Sequence, residues 1–105
     1  MTETEFATSS VGVIDHIEES LEAAGIDIDL ERKGDGLLEI EFENGSKIIV
    51  NTQAPMRQIW VAAKSGGFHF AELAGQWHDT RTGEALMILL SRVASEQAGS
   101  RVHLT

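Results

Sequence analysis

The chain has 105 residues, 42% hydrophobic and 24% charged, with a formal net charge of -9 and a pI of about 4.7. That length and composition predict one folded domain, 1–105. The lack of cysteine excludes disulfides, thiolate metal sites, cysteine nucleophiles and cysteine-held iron–sulfur clusters; the acidity argues against nucleic acid, and no apolar run approaches the ~20 residues of a membrane span.

The charge is one-sided. Residues 1–31 hold nine carboxylates and no Lys or Arg, whereas residues 32–105 hold eight acidic and eight basic residues. Such a pole favours a cation or a basic protein surface as partner. The acidic start, Met1 to Glu5, is unlike a signal or transit peptide, and with the missing cysteine it fits a cytoplasmic protein.

Thr2-Glu3-Thr4-Glu5 before Phe6 reads as a capping box that opens a helix. Phe6, Val13, Ile14, Ile17, Leu21 and Ala24 recur at three- and four-residue spacing and form its apolar face. Asp15, Glu18, Glu19 and Glu22 form an acidic stripe on the other side. Gly25 is placed to end the helix with a left-handed cap. From Ile26 the period is two: Ile26, Ile28 and Leu30 alternate with Asp27, Asp29 and Glu31, so a strand carries three carboxylates on one outward face.

Lys33-Gly34-Asp35-Gly36 is a turn. Leu38, Ile40 and Phe42 alternate with Glu39, Glu41 and Glu43 in a second strand, and Asn44-Gly45 is a strong hairpin signal. A third strand runs from Lys47 to Asn51. Pro55 breaks the chain before a fourth from Gln58 to Lys64. Ser65-Gly66-Gly67 turns into a strand at Phe68-His69-Phe70, and Ala74-Gly75 into a last one at Gln76-Trp77-His78-Asp79. Thr82-Gly83-Glu84 opens a second helix, with Leu86, Leu89, Leu90 and Val93 inward, that ends at Ala98-Gly99. The tail to Thr105 shows no period. No link between strands is long enough for a crossover helix. The fold class is therefore α+β, a two-layer sandwich with both terminal helices on one face of a mainly antiparallel sheet of about six strands.

The candidate metal ligands are Asp15, Glu18, Glu19, Glu22, Asp27, Asp29 and Glu31. A helical acidic stripe alone is more often a solvated face. Here the adjacent strand adds carboxylates, so two elements build one field. Glu18 and Glu22 also repel at i,i+4, and rules broken without local compensation tend to mark function. Carboxylates suit hard divalent cations and iron. An open row predicts weak, exchangeable binding. For docking, Trp60 alternates with Ile59 and Val61 and so faces the open side of the sheet, as do Asn51 and Gln53; a surface Trp amid amides suits an interface anchor. Glu18, Glu19 and Glu22 join that docking set. His16 lies within reach of the stripe but reads more simply as solvated. His69 and His78 are contact candidates, and Trp77 reads as core. No catalytic constellation stands out.

The run Phe42-Glu43-Asn44-Gly45-Ser46-Lys47-Ile48-Ile49-Val50-Asn51, then Gln53, Pro55, Gln58-Ile59-Trp60 and Gly66-Gly67-Phe68-His69-Phe70, resembles the frataxin family in its bacterial, CyaY-type branch. The likeness covers nearly the whole chain, and the Asn-x-Gln-x-Pro-x-x-Gln-x-Trp spacing from Asn51 to Trp60 is its specific part. The first helix departs from the family pattern at Ala23-Ala24-Gly25, where the acidic run often continues. The resemblance implies a frataxin-like fold and a role in iron–sulfur cluster assembly. It implies weak binding of iron (Fe²⁺ or Fe³⁺) at the acidic ridge and docking on the cysteine desulfurase and its scaffold protein. These readings together describe a non-catalytic, iron-binding adaptor or regulator. The rivals are a ferroxidase-like enzyme, an activity credited to some family members, and an acidic interaction module with no metal role.

Overall fold

Helix α1 runs from Glu3 to Ala23 and starts on a reciprocal cap. The Glu5 N–H donates to the Thr2 hydroxyl at 3.1 Å, and the Thr2 N–H donates to the Glu5 carboxylate at 2.7 Å. The computed structural model describes residues 1–105. Phe6, Ser10, Ile14, Ile17 and Leu21 form the buried stripe of α1, and Gly25 at φ +67° turns the chain out of it.

Six strands follow: β1 Ile28–Lys33, β2 Leu37–Phe42, β3 Lys47–Gln53, β4 Gln58–Ala63, β5 Gly66–Leu73 and β6 Gln76–Asp79. They pair in chain order, each antiparallel to the next. The register stacks Leu38 and Ile40 beside Val50 and Ile48, then Val50 beside Val61 and Val61 beside Phe68, with Ile59 beside Phe70 on the same face. This face is covered by α1 and by α2, Leu86–Ala98, through Leu86, Leu89, Leu90, Val93 and Ala94. Trp77 meets Phe6 edge to face at 6.0 Å in the same core. The result is the expected two-layer α+β sandwich. No helix is long and apolar enough to cross a membrane.

Several boundaries differ from the sequence reading. Strand β1 begins at Ile28, not Ile26, because its neighbour ends at Phe42 and offers nothing further to pair with. Asp27 therefore lies in the helix-to-strand connection. Lys33 pairs with Leu37, and β3 reaches Gln53. Gly66 and Gly67 are strand residues opposite Ala63 and Ala62, so the turn is only Lys64-Ser65. Helix α2 starts at Leu86, not at Thr82. The buried Asp79 carboxylate takes the N–H groups of Arg81 and Thr82 at 2.7 and 3.2 Å. That holds the segment as a turn. A Cβ at Gly36 would lie 2.4 Å from the Thr52 hydroxyl, so any larger residue there forces the Thr52 side chain to shift.

The tail is ordered by two α2 serines one turn apart. The Val102 N–H donates to Ser95 Oγ at 2.8 Å, and the Leu104 N–H donates to Ser91 Oγ at 2.9 Å. Val102 and Leu104 are thereby buried in the core. Gln97 does similar work at the end of α2. Its side chain donates to Ser46 Oγ and the Lys47 carbonyl and accepts from the Lys64 N–H, all at 3.0–3.1 Å. It clamps α2 to two hairpin ends.

Ser91→Ala leaves the Leu104 N–H without its partner and is expected to cost about 1 kcal/mol, seen as a fall of about 5 °C in thermal midpoint. Exchange protection should drop at the Leu104 amide and not in the sheet.

Candidate functional site

The acidic stripe of α1 lies along the edge of the sheet, beside β1. The link is Arg32. In β1, Ile28, Leu30 and Arg32 face the helical layer, and Ile28 and Leu30 pack against the core. Arg32 Nη1 stands 2.9 Å from both Asp15 Oδ1 and Glu18 Oε1, while Nη2 donates to the Asp35 carbonyl at 3.0 Å. Burial works against the charge on Arg32, but the hydrogen bonds and attraction of Asp15 and Glu18 outweigh it and raise its pKa.

The other β1 side chains point the opposite way. Asp29, Glu31 and Lys33 lie on the open sheet face, directly across from Glu41, Glu39 and Leu37. The helix and strand carboxylates are thus neighbours along one edge but do not share a face. This corrects the expectation of one continuous field. Like charges directly opposite are destabilising. The Glu31–Glu39 pair is relieved by Lys33 at 3.4 and 3.7 Å and by Lys47, 3.0 Å from Glu39. Asp29 and Glu41 have no cation within 4 Å, and the same holds for Glu19, Glu22 and Asp27. Asp27, Asp29, Glu41 and Glu43 line a groove of about 520 Å³ at the end of the β1–β2 pair. No three His, Asp or Glu side chains stand close enough to hold one ion together. What the geometry displays is a row of carboxylates along one edge.

The docking candidates lie on the open face as expected. Asn51, Trp60 and His69 form one cross-strand row, with Gln53 opposite Gln58. Trp60 is half-buried, not projecting. Its ring stacks on His69 at 4.2 Å and 9°, and its Nε1–H donates to Gln58 Oε1 at 2.8 Å. His78 shares this face through its pairing with Ala71 and is tied by Nδ1 to the Gly83 carbonyl at 3.1 Å. His16 is engaged through Nε2 with the Thr105 carbonyl, so it is held by the tail, not turned to the stripe.

Three contributors escaped the sequence reading. Glu39 and Glu41 extend the acidic corner of the open face, which their alternation with Ile40 already indicated. Arg32 continues the inward positions of Ile28 and Leu30, so period two alone marks it as an inward-facing cation.

Residues 1–100 match the sequence model of the frataxin-like domain. The chain is 49% identical over 104 residues to the iron-sulfur cluster assembly protein CyaY of Paraburkholderia phymatum, covering 99% of this chain and 98% of that one. It is 48% identical over 103 residues to the same-named protein of Paraburkholderia xenovorans, covering 98% and 97%. Among solved structures, frataxin from Psychromonas ingrahamii superposes with a TM-score of 0.92 at 35% identity, over 100% of this chain and 99% of that one. A trimeric frataxin from Saccharomyces cerevisiae, described as complexed with ferrous, superposes at 0.74 with 28% identity, over 88% and 87%.

The Lys47 hydrogen bond holds the Glu39 carboxyl below its ordinary pKa, helped by the charges of Lys47 and Lys33 and opposed by partial desolvation. Because the folded value is the lower one, the stabilisation from this pair is complete above the unfolded pKa and is lost as pH falls through the folded one. Lys47→Gln is expected to raise the Glu39 midpoint toward the ordinary range in an NMR titration of its carboxyl carbon, and an unmoved midpoint would contradict the pairing.

Proposed function

This chain belongs to the frataxin-like family, and on that footing we propose that it serves iron–sulfur cluster assembly in the cytoplasm as a non-catalytic adaptor. In this reading it binds iron weakly as cargo at the acidic edge and docks on the cysteine desulfurase and its scaffold protein. The observation that carries the proposal is the uncompensated charge. Residues 1–31 contain no Lys or Arg, and the one Lys or Arg that reaches the α1 stripe, Arg32, pairs with Asp15 and Glu18 alone. Glu19, Glu22, Asp27 and Asp29 are left free to attract a cation. Carboxylates at an exposed edge exchange hard cations readily and are screened by salt.

The docking half of the proposal is supported by the open face. Trp60 lies flat on His69 with Gln58 fixing its indole N–H. A pre-ordered aromatic platform ringed by Asn51 and Gln53 loses little side-chain freedom on binding. The acidic edge supplies attraction for a basic patch on the partner, which raises the encounter rate.

Charge reversal of Glu18, Glu19 and Glu22 to Lys, with binding of Fe²⁺ and of the purified desulfurase each measured by calorimetry, tests the ridge. Loss of both is expected; survival of both would sink the functional reading of the ridge. Trp60→Ala should weaken the desulfurase complex about tenfold or more, as for a central aromatic anchor, and leave Fe²⁺ binding unchanged. Oxidation of Fe²⁺ by the pure protein in air should run at the buffer rate, and clear turnover above it would establish an enzyme.

A further inference from the structure

The geometry points to Arg32 as an internal counter-cation that closes one part of the acidic edge and leaves the rest open to incoming cations. The inference rests on the ridge reading above and divides that ridge in two. Asp15 and Glu18 already share Arg32 Nη1, at 2.9 Å each. The same guanidinium is held a third time by the Asp35 carbonyl. Its side chain is only 21% exposed, whereas those of Lys33 and Lys47, which serve the open face, are 55% and 47% exposed. The Arg32 Nε is buried and has no hydrogen-bond partner.

These facts bear on competition. A guanidinium is planar and always charged, and it is held by a short tether on an adjacent strand, so its effective concentration at Asp15 and Glu18 is high. A metal ion or a partner's basic side chain that approaches this part of the stripe has to displace it. Glu19 and Glu22, on the same helix, have no cation within 4 Å. They are open to the first ion that arrives, as are Asp27, just before β1, and Asp29 within it. Arg32 therefore selects among chemically identical carboxylates. It is a positioning residue, acting through the two acids it holds.

The test is a Mn²⁺ titration of the wild-type protein, Arg32→Gln and Lys64→Gln by calorimetry at low salt. Lys64 is exposed and forms no ion pair, so its substitution makes the same change in net charge without opening the lock. Arg32→Gln is expected to bind Mn²⁺ roughly three- to tenfold more tightly, the scale of two released ion pairs, and Lys64→Gln less than about twofold. Arg32→Lys, which keeps the charge but loses the planar fork, should fall between the wild type and Arg32→Gln, and near-ultraviolet circular dichroism checks that each variant is folded. Equal gains in Arg32→Gln and Lys64→Gln, or none in Arg32→Gln, would overturn the role of Arg32 while leaving the ridge reading intact. Absence of Mn²⁺ binding in every variant would overturn both.

Discussion

A six-stranded antiparallel meander has two faces, and this chain has two helices with which to cover them. Both lie on the same side. Side chains alternate along every strand, so half of each strand is committed to a surface that the chain leaves open. That constraint decides what can occupy it. The open face carries amides, histidines and charged groups, and its large aromatic is held in place: Trp60 is stacked on His69 and hydrogen-bonded to Gln58. The platform is a product of the fold's incompleteness, and the docking role proposed for it follows from the same cause.

The acidic edge shows a tension of a different kind. Asp29 faces Glu41, and Glu31 faces Glu39, across the first pair of strands. Such juxtapositions cost stability; the second is relieved by close ion pairs to Lys33 and Lys47, and the first only by the longer-range charge of Lys47, which stands opposite Glu41. The fold tolerates the remainder because the same strands bury Leu38, Ile40 and Phe42 on their other face. Apolar burial of that order outweighs a surface repulsion several times over. The charge is therefore a load carried by the core, and it falls on the surfaces where a cation or a basic partner would meet the molecule.

How much of this could be read from residues alone depends on the range of the interactions. The capping box at Thr2 and Glu5, the period-two runs and the Asn44-Gly45 hairpin are local, and each is present, with only strand ends shifted. The candidate site was legible residue by residue but not in its facing. Period two put Asp29 and Glu31 outward; it did not say that α1 would lie on the opposite face of the same strand. That depends on which side of the sheet the helices choose. The tail at 100–105 has no period because its order comes from Ser91 and Ser95, about ten residues earlier in the chain. Gln97 likewise reads as a helix-surface residue until the turns at Ser46 and Lys64 are brought to it. The start of α2 was misplaced because Asp79, a buried side chain, captures backbone groups that a helix would otherwise use.

Strand β1 is an outer strand of the sheet, and such margins invite a second molecule to add its own backbone. Two copies set margin to margin here would bring Asp29 and Glu31 of one against the same residues of the other, with Asp27 close behind. The crowd of anions along this border thus opposes addition of a second copy at this edge of the sheet. High salt or multivalent ions, by quieting that mutual repulsion, would weaken this opposition.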